Sequence, residues 1–206
     1  MNSDEEVWQS GICHEKDLWI FDKLLLSRRL GYMCGPHGVP VPYPDTYICR
    51  PCVNFYGMGL GVEIKHIEDS TDYVMNPGTF WCEIFEGRHL SIDYHNGKQV
   101  LCVEGIYDEK KYPRFSKWKK VQDKVPMPEI VKKLKGKYEW INIETIGGNV
   151  IEIHLRRNPD FIGHNSDYVI PVWKWDRKQP NSKQIFVEAP AGNRLGFLIR
   201  KGSYES

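Results

Sequence analysis

Residues 141–161 read INIETIGGNVIEIHLRRNPDF, the most informative stretch of the sequence. Polar and apolar residues alternate on both sides of a Gly-Gly pair, which is typical of two antiparallel strands joined by a tight turn. Alternation also fixes the facing of each side chain, because neighbouring side chains of a strand point to opposite sides of the sheet. The polar positions are Asn142 and Glu144 on the first strand and Glu152, His154 and Arg156 on the second. The stretch therefore predicts a hairpin with one polar and one apolar face.

The length of the loop decides which polar residues meet across this hairpin. A two-residue loop would set Glu144 opposite an apolar residue. A three-residue loop, 147–149, instead sets Glu144 opposite Glu152. The same register sets Asn142 opposite His154. We predict the longer loop, because it brings all four polar side chains together.

Side chains that converge in this way are metal ligands by type. Two carboxylates, an amide and an imidazole are costly to bury unpaired. A hard divalent cation that carries phosphate oxygens relieves that cost. We therefore predict a metal site formed by Asn142, Glu144, Glu152 and His154. The alternative is a solvated sheet face.

Size and charge limit the class of protein. The 206 residues suffice for one domain with a substantial core. A net charge of +1 argues against a protein that mainly covers nucleic acid or anionic lipid. There is no apolar window of membrane-helix length, and the acidic start lacks the basic region of a signal peptide. We expect a cytoplasmic protein without a membrane partner, with its six cysteines as thiols, and any disorder at residues 1–6 and 201–206.

Two segments support a different interpretation. Cys34, His37, Cys49 and Cys52 have the spacing of a zinc knuckle. A proline interrupts the second cysteine pair, and a strand there would point the two thiols to opposite faces, so zinc is the less favoured metal. The basic run 110–120, KKYPRFSKWKK, is a candidate for binding a polyanion, although such a run is more often a solvated loop. Together they describe a zinc-bearing nucleic-acid adaptor, the weakest of our hypotheses.

The remaining periodicity predicts a sheet-rich α+β domain with few helices. Helical spacing predicts one helix over 18–30, ending at Gly31, and a short one over 126–134. The strands predicted from alternation are 46–53, 62–67, 80–85, 89–94, 98–104, 168–175, 184–188 and 195–199.

Four motifs in this order resemble the ATP-grasp family, ATP-dependent ligases that join a carboxylate to an amine or thiol through an acyl-phosphate. The segment FDKLLLSRRL followed by GVPVP resembles the family's Asp-Lys helix and strand lead-in, which implies a phosphate-contacting, catalytic role for Lys23. The segment YICRPCVNFYGMGLG resembles the strand and glycine-rich loop over the triphosphate. Arg50 then stands at the family's lysine position. The loop residues implied in nucleotide binding are Asn54, Gly57 and Gly59.

The third motif, FWCEIFEGRHLSID, resembles the hinge that holds adenine by backbone hydrogen bonds. It implies that Glu83 and Phe85 lie at the adenine edge. His89 stands where the family often has a ribose-binding acid, and it is expected either to bond a hydroxyl or to face solvent.

The fourth motif, EIHLR at 152–156, resembles the family's Glu-x-Asn-x-Arg signature. It implies that Glu152 bridges magnesium ions and that Arg156 is catalytic, on the transferring phosphate. His154 replaces the usual asparagine, and Asn142 takes the place of the usual aspartate. Both changes weaken the hard-oxygen character that Mg²⁺ prefers, and Glu144 is expected to supply the missing charge.

The resemblance implies a single domain, 1–206, of two small sheet-rich lobes with a nucleotide cleft between them. The small lobe is expected at about 38–86, and the larger lobe in the flanking and C-terminal segments. Family enzymes usually carry a separate preceding domain for substrate, which this sequence does not show, so a protein partner is expected to supply it. The family's short stand-alone forms occur in phage genomes, so the resemblance implies a phage-like protein.

Two functional hypotheses follow from the resemblance. The first is a small ligase that uses ATP, Mg²⁺, an unidentified carboxylate and an amine acceptor. The second is a nucleotide-binding or regulatory module without turnover, which the changes at His154 and Asn142 favour.

Overall fold

The computed structural model describes residues 4–53, 61–68, 76–108 and 115–204, except the side chains of residues 5 and 6. Strands dominate the described chain and form two antiparallel sheets. The helical elements are α1 (Asp4–Gln9), a 3-10 helix (Glu15–Phe21), α2 (Lys23–Arg29), α3 (Glu129–Lys132) and a second 3-10 turn (Pro159–Phe161). None of the described helices is long and apolar enough to span a membrane. The sheet-rich α+β class predicted from the sequence is confirmed.

The smaller sheet has four strands, in the order β1-β4-β2-β3. The strands are β1 (Cys34–Pro36), β2 (Asp45–Pro51), β3 (Glu63–Ile67) and β4 (Thr79–Cys82). Its own core forms around the rings of Tyr47 and Trp81, whose centroids lie 5.3 Å apart. The sequence did not predict β1, since three residues in a Gly/Pro-rich segment carry no periodicity.

The larger sheet has eight strands, in the order β11-β12-β10-β7-β6-β5-β8-β9. They are β5 (His89–His95), β6 (Lys98–Tyr107), β7 (Phe115–Lys120), β8 (Trp140–Ile146), β9 (Asn149–His154), β10 (Tyr168–Trp173), β11 (Gln184–Ala191) and β12 (Arg194–Arg200). The described half of the basic run 110–120 is strand β7, paired with β6 and β10. The solvated loop favoured from the sequence is therefore wrong for this half, because the buried Trp118 anchors it in the sheet.

The predicted single helix over 18–30 is two elements. Asp22 adopts an extended conformation, with φ −102° and ψ 104°, and its Oδ1 accepts a hydrogen bond of 2.8 Å from the Leu25 backbone nitrogen. Asp22 is thus the N-cap of a separate helix α2, whereas the sequence predicted one continuous helix. The backbone nitrogen of Lys23 donates to the carbonyl of Cys52 at 2.7 Å. This bond ties the start of α2 to the end of β2.

The apolar face of β5, β8 and β9 forms the main core. Ile92, Ile143 and Ile153 lie side by side across the three strands and are buried against helices, among them Leu26 of α2 and Leu134 near α3. Because side chains alternate along a strand, the opposite face of the same three strands receives their polar residues.

Candidate active site

The β8–β9 hairpin has the predicted register but not the predicted loop. Glu144 lies opposite Glu152, and Asn142 lies opposite His154. The turn is the two-residue 147–148, and a bulge beside Glu144 accommodates the additional residue. The three-residue loop is therefore wrong, while the pairing inferred from it is confirmed. A bulge and a longer loop both shift the register by one residue, so either route brings the polar side chains to one face.

Glu144, Glu152 and His154 form the group of potential metal ligands in the described part of the chain. Each offers one ligand atom, and the three atoms lie within 4.8 Å of one another. Two carboxylates and an imidazole fit a divalent cation, although the imidazole makes the set softer than the all-oxygen environment that Mg²⁺ prefers.

Lys23 connects helix α2 to this group. Its Nζ lies 2.6 Å from Oε1 of Glu152, and the two side chains are only 11% and 18% exposed. Burial by itself raises the pKa of Glu152, but Lys23 and His154 together outweigh burial and hold the pKa well below its usual range. Glu152 is therefore ionised at neutral pH and carries an internal counter-charge.

Asp4, on α1, contacts two of the predicted site residues from a distant part of the sequence. Its Oδ2 lies 2.8 Å from Nδ1 of His154, and its Oδ1 lies 3.2 Å from Nε of Arg156. Burial alone would lower the pKa of His154, but the Asp4 carboxylate and the contact with Glu152 outweigh it and raise the pKa to about 9. Residues 4–6, where we expected any N-terminal disorder, thus begin a helix, and no sequence pattern indicated this contact.

His89 is buried beneath the site. One ring nitrogen lies 2.6 Å from the Tyr107 hydroxyl oxygen, and the other lies 3.0 Å from Oε2 of Glu144. At 5% exposure it does not face solvent, so that expectation is wrong. Both ring nitrogens thus have partners within the protein, one of them the Glu144 carboxylate.

Asn142, on β8, takes part in a buried polar network with side chains of the neighbouring strand β5. Its amide nitrogen donates to Oγ of Ser91 and to Oδ1 of Asp93, both at 2.8 Å. The Asn158 backbone nitrogen donates to both oxygens of Asp93, at 2.9 and 3.0 Å, and fastens the segment after β9 to β5. Burial raises the pKa of Asp93 to about 6, although these hydrogen bonds and nearby arginines act against it. The sequence signal for this network was the alternation of His89, Ser91 and Asp93, which we did not use.

Arg50 has surroundings unlike those of Lys23. It is 5% exposed on β2, and its Nε has no hydrogen-bond partner among the described residues. Its guanidinium carbon lies 5.1 Å from the centre of the Phe80 ring. A buried guanidinium with an unsatisfied donor fits an anionic ligand such as phosphate. Asn54, Gly57 and Gly59, the other predicted phosphate contacts of this segment, lie outside the described residues.

The predicted adenine hinge is braced against the start of β1. The backbone nitrogen of Glu83 donates to the carbonyl of Met33 at 3.0 Å, and Oε1 of Glu83 accepts from the Met33 nitrogen at 2.8 Å. The ring of Phe85 packs edge-on against Tyr32, with centroids 4.6 Å apart. The backbone N–H of Glu83 is thus engaged within the protein.

The hinge also packs against the hairpin turn. Gly147 has a φ of 57°, and a Cβ built there would lie 2.0 Å from the carbonyl oxygen of Glu86. The Gly147 nitrogen donates to the carbonyl of Arg88 at 3.0 Å. Only glycine permits this approach, which fixes the hairpin relative to the hinge.

The predicted zinc knuckle is not assembled. Cys34, His37, Cys49 and Cys52 are all described, yet they do not form a potential metal-binding group. Cys49 is instead buried in the core of the four-stranded sheet. Burial raises the pKa of the Cys34, Cys49 and Cys52 thiols, which disfavours the thiolate that zinc requires.

Solved structures of similar fold have low sequence identity to this chain. The L-amino acid ligase from Bacillus licheniformis is 9% identical with a TM-score of 0.50, and the match covers 98% of this chain and 72% of that one. The ATP-grasp superfamily protein from Archaeoglobus fulgidus is 14% identical with a TM-score of 0.46, over 88% of this chain and 64% of that one. D-alanine–D-alanine ligase from Bacillus anthracis, solved with ATP, is 11% identical with a TM-score of 0.38, over 66% and 55%. The chain thus spans less than two thirds of the length of the last two proteins.

No protein-family model matches the chain, and no curated protein matches it. Identities this low show the fold alone. The match to the Bacillus licheniformis ligase covers nearly the whole chain. The chain has an ATP-grasp fold.

Proposed function

We propose that this protein is a small ATP-dependent ligase that activates a carboxylate as an acyl-phosphate and then forms a carbon–nitrogen bond with an amine. The observation that carries the proposal is the convergence of Glu144, Glu152 and His154 on one sheet face, with Lys23 bound to Glu152. The buried Arg50, with its unsatisfied donor, supports a phosphate position on the four-stranded sheet. The nucleotide would then lie in a cleft between the two sheets.

The proposed reaction has two steps. An oxygen of the carboxylate substrate attacks the γ-phosphorus of ATP, and the bond from that phosphorus to the ADP oxygen breaks. The amine nitrogen then attacks the acyl carbon, and inorganic phosphate leaves. Neither step needs a protein nucleophile, so the protein contributes positioning and charge neutralisation.

Each residue of the site has a proposed role in that chemistry. Lys23, Arg50 and Arg156 neutralise phosphate oxygens. The proposed ligands of the divalent cation, Mg²⁺ in our proposal, are Glu144, Glu152 and His154, with the amide oxygen of Asn142. Because the pKa of His154 is raised to about 9, its imidazole must release a ring proton before it can bind the cation. When bound, that cation supplies further charge neutralisation on the phosphates.

The nucleotide contacts extend beyond the metal ligands. Phe85 and the backbone of the 83–85 hinge contact adenine, and the glycine-rich loop with Asn54, Gly57 and Gly59 covers the phosphates. We assign His89 to orienting Glu144 and not to the ribose, because its two ring nitrogens lie at Tyr107 and Glu144.

We propose that residues 1–206 form a single ATP-grasp domain with a small lobe at about 38–86. The carboxylate and amine substrates are unidentified. A protein partner that contributes a substrate-binding domain would complete the site.

Phosphate release tests the proposed reaction. Purified protein is incubated with ATP, Mg²⁺ and panels of carboxylates and amines, and inorganic phosphate is measured. The ligase requires release that depends on one carboxylate together with one amine. Release that is independent of both, or absent throughout the panels, would contradict it.

A nucleotide-binding module without turnover is the second candidate. It is favoured by the internal partners of the hairpin, since Glu152 is paired with Lys23 and His154 lies between Asp4 and Glu152. Binding of ATP with Mg²⁺ in calorimetry, without phosphate release, would identify the module.

A further inference from the structure

A single carboxylate joins the two nitrogen donors at the end of the candidate site. Asp4 reaches Nδ1 of His154 with one oxygen and Nε of Arg156 with the other, at 2.8 and 3.2 Å. The three side chains are 13%, 4% and 22% exposed. Asp4 therefore accepts a hydrogen bond from His154 and forms an ion pair, without hydrogen-bond geometry, with Arg156 in a largely desolvated position.

The pair of donors is suited to any group with two oxygens on one atom. A guanidinium and an imidazole N–H that both face one carboxylate can equally face a substrate carboxylate or a phosphoryl group. Arg156 is also the residue to which we assign the transferring phosphate. The Asp4 carboxylate thus lies where an anionic ligand would bind.

The attachment of α1 to the rest of the protein lies beyond Asp4 along the helix. Val7, three residues on, is 1% exposed and belongs to the main core. The ring of Trp8 packs edge-on against Phe21, with centroids 5.6 Å apart. The Asp4 carboxylate can therefore leave the two donors while the apolar anchors of α1 keep their places.

We propose that Asp4 is an internal competitor for the anion that Arg156 and His154 bind. It fills this subsite while no ligand is present and withdraws when a phosphoryl group or a substrate carboxylate enters. The inference rests on the role of Arg156 in the proposed function and adds a gate to it. A binding-competent protein must first open this contact, so the gate lowers the apparent affinity for the anion.

Calorimetric titration of the full chain with inorganic pyrophosphate, and separately with acetate, tests the gate. Asp4→Asn removes the competing charge and keeps the shape of the side chain. We expect it to bind the favoured anion about tenfold more tightly than the unsubstituted protein, the change typical of a charge-assisted contact. Glu129→Gln, which removes an exposed carboxylate that also pairs with a basic side chain, should stay within about twofold. Gain for pyrophosphate alone assigns the subsite to a phosphoryl group, and gain for acetate alone assigns it to a carboxylate.

Amide exchange of residues 4–9 in the unsubstituted protein is the second measurement, and it does not depend on how well Asp4→Asn folds. Exchange should speed up when the anion is added, because the helix loses one of its attachments. Unchanged exchange would overturn the gate. So would an affinity of Asp4→Asn that stays within twofold of that of the unsubstituted protein for both anions, or that is undetectable for both. These inorganic and organic anions report on the subsite without turnover, so a ligase that fails the phosphate-release assay leaves this result interpretable on its own.

Discussion

The β8–β9 hairpin and strand β2 hold their charged residues in opposite ways. On the hairpin, Glu152 has Lys23 as a partner at 2.6 Å, and His154 lies between Asp4 and Glu152. On β2, Arg50 is as deeply buried, yet its Nε has no partner among the described residues. The charged side chains of the hairpin thus have ionic partners within the protein, whereas Arg50 on β2 has no ion pair among the described residues.

This difference assigns different tasks to the two regions. A buried charge without a partner lowers stability, so the presence of such a charge is best explained by a ligand of opposite charge that pairs with it. Charges that are paired internally must exchange partners before they can act on a ligand. We infer that Arg50 supplies affinity for the nucleotide, while the hairpin contributes mainly once its internal pairs have rearranged.

The largest expected effect is on turnover and comes from the hairpin. Glu152→Gln removes the carboxylate that joins Lys23, His154 and the proposed cation, so phosphate release should fall to background. Release is measured with ATP, Mg²⁺ and the substrates that support turnover by the unsubstituted protein. Glu129→Gln is the matched control, because it also removes a carboxylate paired with a lysine, but at an exposed position. Glu152→Gln with half or more of the original rate would contradict the proposed role of Glu152 in turnover.

The free energy of unfolding should respond differently to the loss of Lys23 and to the loss of Arg50. Lys23→Met leaves Glu152 without its lysine in a position that is mostly desolvated, and it should lower the free energy of unfolding by about 3 kcal/mol. Arg50→Met removes a cation with an unsatisfied donor and should change that free energy by less than about 1 kcal/mol, or raise it. Urea unfolding in the absence of nucleotide measures both. Equal losses of unfolding free energy for the two variants would mean that Arg50 has a counter-charge of the same strength as that of Lys23. That result would contradict the difference between the hairpin and β2.

The pH dependence of stability tests the internal pairing of His154. Its pKa is raised to about 9, so the folded state holds this proton more tightly than the unfolded state does. The stabilisation is therefore fully present below about pH 6.5 and is lost as pH rises through 9, a change of about 3 kcal/mol. The free energies of unfolding of the unsubstituted protein and of His154→Asn should converge between pH 6 and 9.5. A constant difference over that range would show that His154 is neutral in the folded protein.

What the sequence predicted correctly about the site is local. Glu144 and Glu152 are eight residues apart, and they meet because strand alternation is combined with a shift of one residue, which a bulge supplies in place of the predicted longer loop. The same reasoning identified most strands. It failed at Asp22, where a capping side chain interrupted an apolar pattern that continued on both sides, and at β7, where the lysines concealed the buried Trp118.

What the sequence did not predict depends on contacts between distant segments. Asp4 and His154 are 150 positions apart, and no periodicity relates them. The contacts of His89 with Tyr107 and Glu144 likewise depend on the strand order, because β5 lies between β6 and β8. Partners of this kind determine the charge balance of the site, so the sequence could identify the candidate ligands but not how they are neutralised.

The most direct test of the central claim is calorimetric titration of Arg50→Ala with ATP and Mg²⁺. If Arg50 is the cation held for the nucleotide, its loss should weaken binding by about 1.5–3 kcal/mol, or about 10- to 150-fold, the range for charge-assisted hydrogen bonds. Arg200→Ala, which removes an exposed arginine close to Asp167, should leave the affinity unchanged. Affinity of Arg50→Ala equal to that of the unsubstituted protein, with an intact fold by circular dichroism, would contradict the assignment of phosphate to β2.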